Sequence, residues 1–97
     1  METSMYLSRA QVDSIAPGRC LTRLCKHWGH KFRVKFDSQR GEIFFDPATC
    51  FLEVSDSQLW VRLETPDTEE LSELEEVVAD HLQRMAGEET LLIQWVR

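Results

Sequence analysis

Several things are scarce in this 97-residue sequence, and each scarcity narrows what the chain can be. The three cysteines, Cys20, Cys25 and Cys50, form neither an even set nor a CxxC pair. Cys20 and Cys25 fall in one expected helix, about 140° apart around its axis, so a disulfide between them is not expected. Buried free thiols acting as small hydrophobes are the expectation. No apolar run approaches the ~20 residues of a membrane span, and the N-terminus lacks a basic-then-apolar export pattern. With such cysteine usage, a cytoplasmic location is expected. Basic residues are in the minority, 11 Lys+Arg against 17 Asp+Glu, giving a formal charge of −6. Nucleic acid and anionic membranes are therefore not expected partners. The sequence also lacks a GxSxG motif, a glycine-rich phosphate loop, low-complexity segments and fixed-period repeats. No motif implies a cofactor, and composition alone names no activity.

What is present describes one domain, residues 1–97, with Met1–Ser4 expected to fray. Met5–Val12 reads as a first strand. Pro17 opens a helix whose Leu21, Leu24, Cys25 and Trp28 recur at helical spacing, and Gly29 follows as a left-handed stop. His30–Asp37 alternates, with Phe32, Val34 and Phe36 on one face and Lys31, Arg33 and Lys35 on the other. Turns at 37–41, 46–47 and 55–57 separate three further strands, so residues 30–64 read as an antiparallel meander. Asp67 caps a second helix, with Glu70 as its capping-box partner. On that helix Leu71, Leu74, Val77, Val78, Leu82 and Met85 share an arc of about 140°. Gly87 ends it, and Thr90–Val96 reads as a final strand.

The expected order is β-α-β-β-β-β-α-β, which can be divided into two βαβ units. This predicts an α+β two-layer sandwich of ferredoxin-like character, with about six largely antiparallel strands and two helices on one face.

Two regions could carry chemistry. The first is Cys25-Lys26-His27-Trp28-Gly29-His30-Lys31, where the first helix hands over to the next strand. His27 and His30 are candidate metal ligands, but the full zinc signatures also need paired cysteines or an HExxH helix. Their leading role is expected to be capping helix-terminal carbonyls, with metal or ligand binding as the alternative. His81 lies inside the apolar arc of the second helix and is expected as a buried, hydrogen-bonded ring. Because it sits ~20 Å along that helix from its cap, convergence with His27 and His30 is not expected. The second region is the open sheet face, where Lys31, Arg33, Lys35, Phe44, Phe51, Trp60 and Arg62 share space with Glu42, Glu53 and Glu64. A mixed-charge face with embedded aromatics fits a homodimer or protein partner better than nucleic acid, since no RNP-type motif is present.

Leu21-x-x-Leu24-Cys25-Lys26-His27-Trp28-Gly29-His30-Lys31 resembles one hallmark of the bacterial family known as domain of unknown function 2218. Leu63-Glu64-x-Pro66-Asp67, Leu71-x-x-Leu74-Glu75-x-Val77-Val78 and His81-Leu82-x-Arg84 resemble its second, so the likeness covers roughly residues 5–96. Gly18 and Cys20 depart from the bulkier helix formers of the family. The resemblance implies a small cytoplasmic bacterial protein associated with siderophore and iron-uptake loci. It establishes no reaction, and it picks out His27, His30 and His81 together.

The expectation is thus a non-enzymatic accessory or binding protein. Its candidate contacts are His27, Trp28, His30 and Lys31 at the turn, and Trp60 and Arg62 on the sheet. A small metal- or ligand-dependent enzyme using His27 and His30 is the alternative. Charge is polarised along the chain. Residues 67–80 hold seven acids and no Lys or Arg, whereas residues 19–40 hold seven basic residues against Asp37 alone. A small anionic ligand at the basic histidine turn is therefore compatible with the net charge.

Overall fold

The computed structural model describes residues 5–97, so the fraying expected at Met1–Ser4 lies outside the described residues. Strand β1 (Tyr6–Asp13) buries Ser8, Ala10 and Val12 and turns Leu7, Arg9 and Gln11 outward. Helix α1 (Pro17–Trp28) starts at its proline, whose missing N–H is harmless in a first turn. It buries Leu21, Leu24, Cys25 and Trp28 as their spacing requires, with Cys20 added. Strands β2 (Arg33–Phe36), β3 (Arg40–Phe44), β4 (Thr49–Ser55) and β5 (Gln58–Thr65) follow, each antiparallel to the next. The expected meander is present. Helix α2 (Thr68–Ala86) completes the set, and Gly87 ends it at a positive φ of 68°.

The sheet order is β1-β5-β4-β3-β2. Strand β1 pairs antiparallel with β5 along its whole length, from Tyr6 opposite Thr65 to Asp13 opposite Gln58. Strands β1 and β2 are thus the two edges, and α1 carries the chain from one edge to the other. Both helices pack on the face that buries Val12, Ile43, Cys50, Leu52, Val61 and Leu63. The backbone of β3 comes close to α1 at Gly41, where a Cβ would stand 2.8 Å from Cys25 Sγ. All three cysteines are buried and free. Burial pushes the Cys25 thiol up to about 11 and the Cys50 thiol higher still.

Four sequence expectations need correction. The sheet has five strands rather than six, because Thr90–Val96 forms no ladder and meets β1 only at an Arg9–Val96 bridge. Gln83 supplies the reason. Its side-chain amide donates to Glu89 O at 2.7 Å and accepts from Leu91 N at 2.9 Å, so the amide at the head of the segment is not free for a ladder. Gly29 is not left-handed; its φ is −62°, and the amides of Lys31 and Phe32 turn back to Trp28 O at 3.0 and 2.7 Å. Strand β2 consequently starts at Arg33, three residues later than expected. Asp67 does cap α2, accepting from Glu69 N at 2.9 Å, but Glu70 does not close the capping box. The Glu70 carboxylate instead accepts from the buried Thr65 hydroxyl at 3.1 Å, which in turn accepts from Asp67 N at 3.3 Å.

Two carboxylates fasten the tail. Glu89 accepts from Ser14 Oγ and Ile15 N, each at 2.9 Å, just ahead of α1. Glu75 accepts from Arg97 Nη2 at 2.8 Å and Nε at 3.2 Å, and from the buried Ser8 hydroxyl. The Arg97 hydrogen bonds, ahead of the Ser8 bond, hold the Glu75 carboxyl below its ordinary value.

Candidate functional site

The two helices meet along an antiparallel seam. Arg23 Nη1 donates to Met85 O at 3.2 Å, and one turn further along α1 His27 faces His81, one turn back along α2. Helix α1 has 12 residues and α2 has 19, so the first turns of α2 overhang the end of α1. Beneath the overhang lies a cleft of about 550 Å³. His27, Trp28, Lys31, Phe32 and Phe45 line one side, and Glu70, Glu73, Leu74, Val77 and His81 the other.

The overhang corrects the expectation for His81. The ring is half-buried rather than enclosed, and it does converge with the histidine turn. Its centre stands 5.2 Å from that of His27 and 4.7 Å from that of Trp28. A ferredoxin-like arrangement would set the end of α1 level with the start of α2; it lies instead level with residues 77–81. His30 is exposed and does not line the cleft, so the histidines brought together are His27 and His81.

The apolar wall is built edge to face. Trp28 is 5% exposed and meets Phe45 at 5.0 Å and 85°, and Phe45 meets Phe32 at 4.9 Å and 79°. Lys31 Nζ lies 5.6 Å from the centre of the Phe32 ring, at the basic side of the opening. His81 Nδ1 lies 2.8 Å from Val77 O. A carbonyl can only accept, so Nδ1 carries the proton and Nε2 keeps its lone pair in the neutral ring. Among the described residues no three His, Cys, Asp or Glu side chains gather into a ready metal cage.

The second candidate region lies on the opposite face of the sheet. Register sets its side chains in rows, one of them Arg9, Arg62, Phe51, Glu42 and Lys35 across all five strands. A neighbouring row runs Gln11, Trp60, Glu53 and Arg40. The Arg62 guanidinium covers Phe51 at 4.4 Å and Arg33 covers Phe44 at 4.7 Å. Arg40 pairs with Glu53 at 3.3 Å and Arg62 with Glu64 at 3.4 Å. Trp60, 42% exposed, borders a shallow groove of about 480 Å³ on this face. The expected mixed-charge aromatic face is therefore present, except that Lys31 belongs to the cleft. Sequence reasoning missed Phe45 and Glu73. Phe45 lies one residue beyond the end of β3, and Glu73 belongs to no motif that marks it as a cleft residue.

The family model described as "Uncharacterized protein conserved in bacteria (DUF2218)" matches residues 9–96. An NMR structure of PA4090 from Pseudomonas aeruginosa is similar, with 42% sequence identity and a TM-score of 0.79. The likeness covers 94% of this chain and 95% of that one. No curated protein matches the chain.

Proposed function

The chain belongs to this family of uncharacterised bacterial proteins, DUF2218, and we propose that it is a non-enzymatic binding protein whose cleft takes a small aromatic acid. The observation that carries the proposal is the joining of two kinds of wall in one cavity. Phe32 and Phe45, backed by the buried Trp28, offer flat apolar surface, while Lys31 offers a cationic donor and His27 and His81 offer imidazole nitrogens within the same cleft. A planar ring suits the first and an acid group suits the second. Glu70 and Glu73, opposite, limit the negative charge a ligand can carry. A setting in siderophore or iron metabolism is the finer form of this proposal, and its support is the family resemblance.

The test is titration of metal-free protein with salicylate and with catechol, followed by tryptophan fluorescence and amide chemical shifts. Expected are shifts at residues 27–32, 45 and 70–81, and loss of salicylate affinity of about tenfold in Lys31→Glu, the size of one charge-assisted hydrogen bond. Uncharged catechol should lose less. Shifts centred on Trp60 and Arg62, or none with either compound, would reject the cleft.

A second reading follows from Trp60 and Phe51, which stand among arginines on an open sheet face. That face would bind a second copy or a protein partner. The measurement is mass in solution across concentration, with Trp60→Lys as the variant that should dissociate any self-association.

A further inference from the structure

We propose that His27 and His81 together hold one divalent transition-metal ion at the cleft, through Nε2 of each ring, with water on the remaining positions. The spacing is the first argument. Two imidazoles sharing a tetrahedral ion at the usual N–metal distance of ~2.1 Å place their ring centres about 5 Å apart. The His27 and His81 centres are 5.2 Å apart, tilted at 46°. Protonation is the second argument. The Val77 carbonyl, 2.8 Å from His81 Nδ1, fixes the proton on that nitrogen and leaves Nε2 as the ligand atom. A backbone carbonyl behind the distal nitrogen is the usual way a metal-binding imidazole is oriented.

The surroundings decide which ion is favoured. An imidazole pair suits nickel, copper or zinc, whereas calcium and magnesium require oxygen cages that this site does not offer. The carboxylates of Glu70 and Glu73 line the same cleft and offset the added cation against Lys31. The softer competitors are out of play, because all three thiols are buried and burial favours their protonated form at Cys25 and Cys50. An ion held here would tie α1 to α2 at the end of their seam. It would also present exchangeable water positions to whatever occupies the cleft. The site shares the cleft of the preceding proposal but does not depend on its organic ligand.

The experiment titrates Ni²⁺ and Zn²⁺ into the untagged, chelator-stripped full chain, following heat and tryptophan quenching, since Trp28 is 4.7 Å from His81. One ion per chain is expected. His27→Ala and His81→Ala should each weaken Ni²⁺ binding by at least about tenfold, and His30→Ala should change it by less than about twofold. His81→Gln, which keeps a polar side chain but no imidazole, should behave as His81→Ala, with circular dichroism showing the fold intact. Absence of stoichiometric binding, retention in either His81 variant, or loss in His30→Ala would overturn the site. Salicylate binding is measured on metal-free protein, so failure of one proposal leaves the other standing.

Discussion

The two ends of the seam between α1 and α2 are built differently. At one end Arg23 reaches Met85 O, Gln83 holds both Glu89 O and Leu91 N, and Glu89 ties down Ser14 and Ile15. Backbone groups that helix and tail would leave unpaired there are occupied by side chains from elsewhere in the chain. At the other end His27, Trp28, Phe32, Phe45 and His81 meet through rings, and a cavity opens between them. The first arrangement spends polar side chains on joining segments. The second ties His81 Nδ1 to Val77 O but lines the cavity with His27, Lys31 and the remaining His81 nitrogen. Polar atoms that the fold does not use are the ones available to a ligand, which is why the cleft rather than the tail junction carries the functional reading.

Substitutions at the two ends should therefore separate. Glu89→Ala should have the largest effect, destabilising by about 1–3 kcal/mol because the buried Ser14 hydroxyl and the Ile15 amide lose their acceptor. In thermal unfolding each kcal/mol corresponds to roughly 4–8 °C for a domain of this size. A change below about 1 °C would show that the closed end does not depend on this carboxylate. Arg97→Ala should cost less than Glu89→Ala, since Arg97 is 48% exposed and solvent screens the pair. The loss should depend on pH. Glu75 has its folded-state pKa depressed by Arg97, so the stabilisation is complete above the ordinary glutamate value of 4.5 and fades as pH falls through the lowered one. Denaturant curves for the two proteins should converge in acid; a gap that stays constant with pH would remove Glu75 from the account. His81→Leu, at the open end, should change stability by under about 1 kcal/mol, because the ring is half-buried and Val77 O also serves the helix backbone. A loss as large as that of Glu89→Ala would mean the open end is structural after all.

Much of the fold was legible because local rules and tertiary packing agree. The alternation around Ile43, Cys50, Leu52, Leu59, Val61 and Leu63 became the buried sheet face, and the apolar arc of α2 became its core side. Asp67 and Gly87 bounded α2 as capping chemistry requires. The open face was legible too, since Phe44, Phe51, Trp60 and Arg62 follow from the same parity. The tail was not, because one glutamine side chain eight positions before Leu91 decides its path, and apolar spacing carries no sign of that contact. The cleft was only half legible. His27, Trp28 and Lys31 stand out in the sequence, but their meeting with His81 depends on how far one helix slides past the other. Helix length is readable from sequence, whereas the level at which two helices meet is set by packing.

The pairing of β1 with β5 also has a consequence in time. Strand β1 leaves the ribosome well before the partner that completes it, which lies roughly fifty residues downstream. At about 5–20 residues per second, β1 and α1 must wait several seconds before the sheet edge they belong to can exist. During synthesis, then, the histidine turn is made early but acquires its far wall last, when α2 arrives. A nascent chain released before residue 81 would carry His27 and Trp28 without the surface that turns them into a cleft.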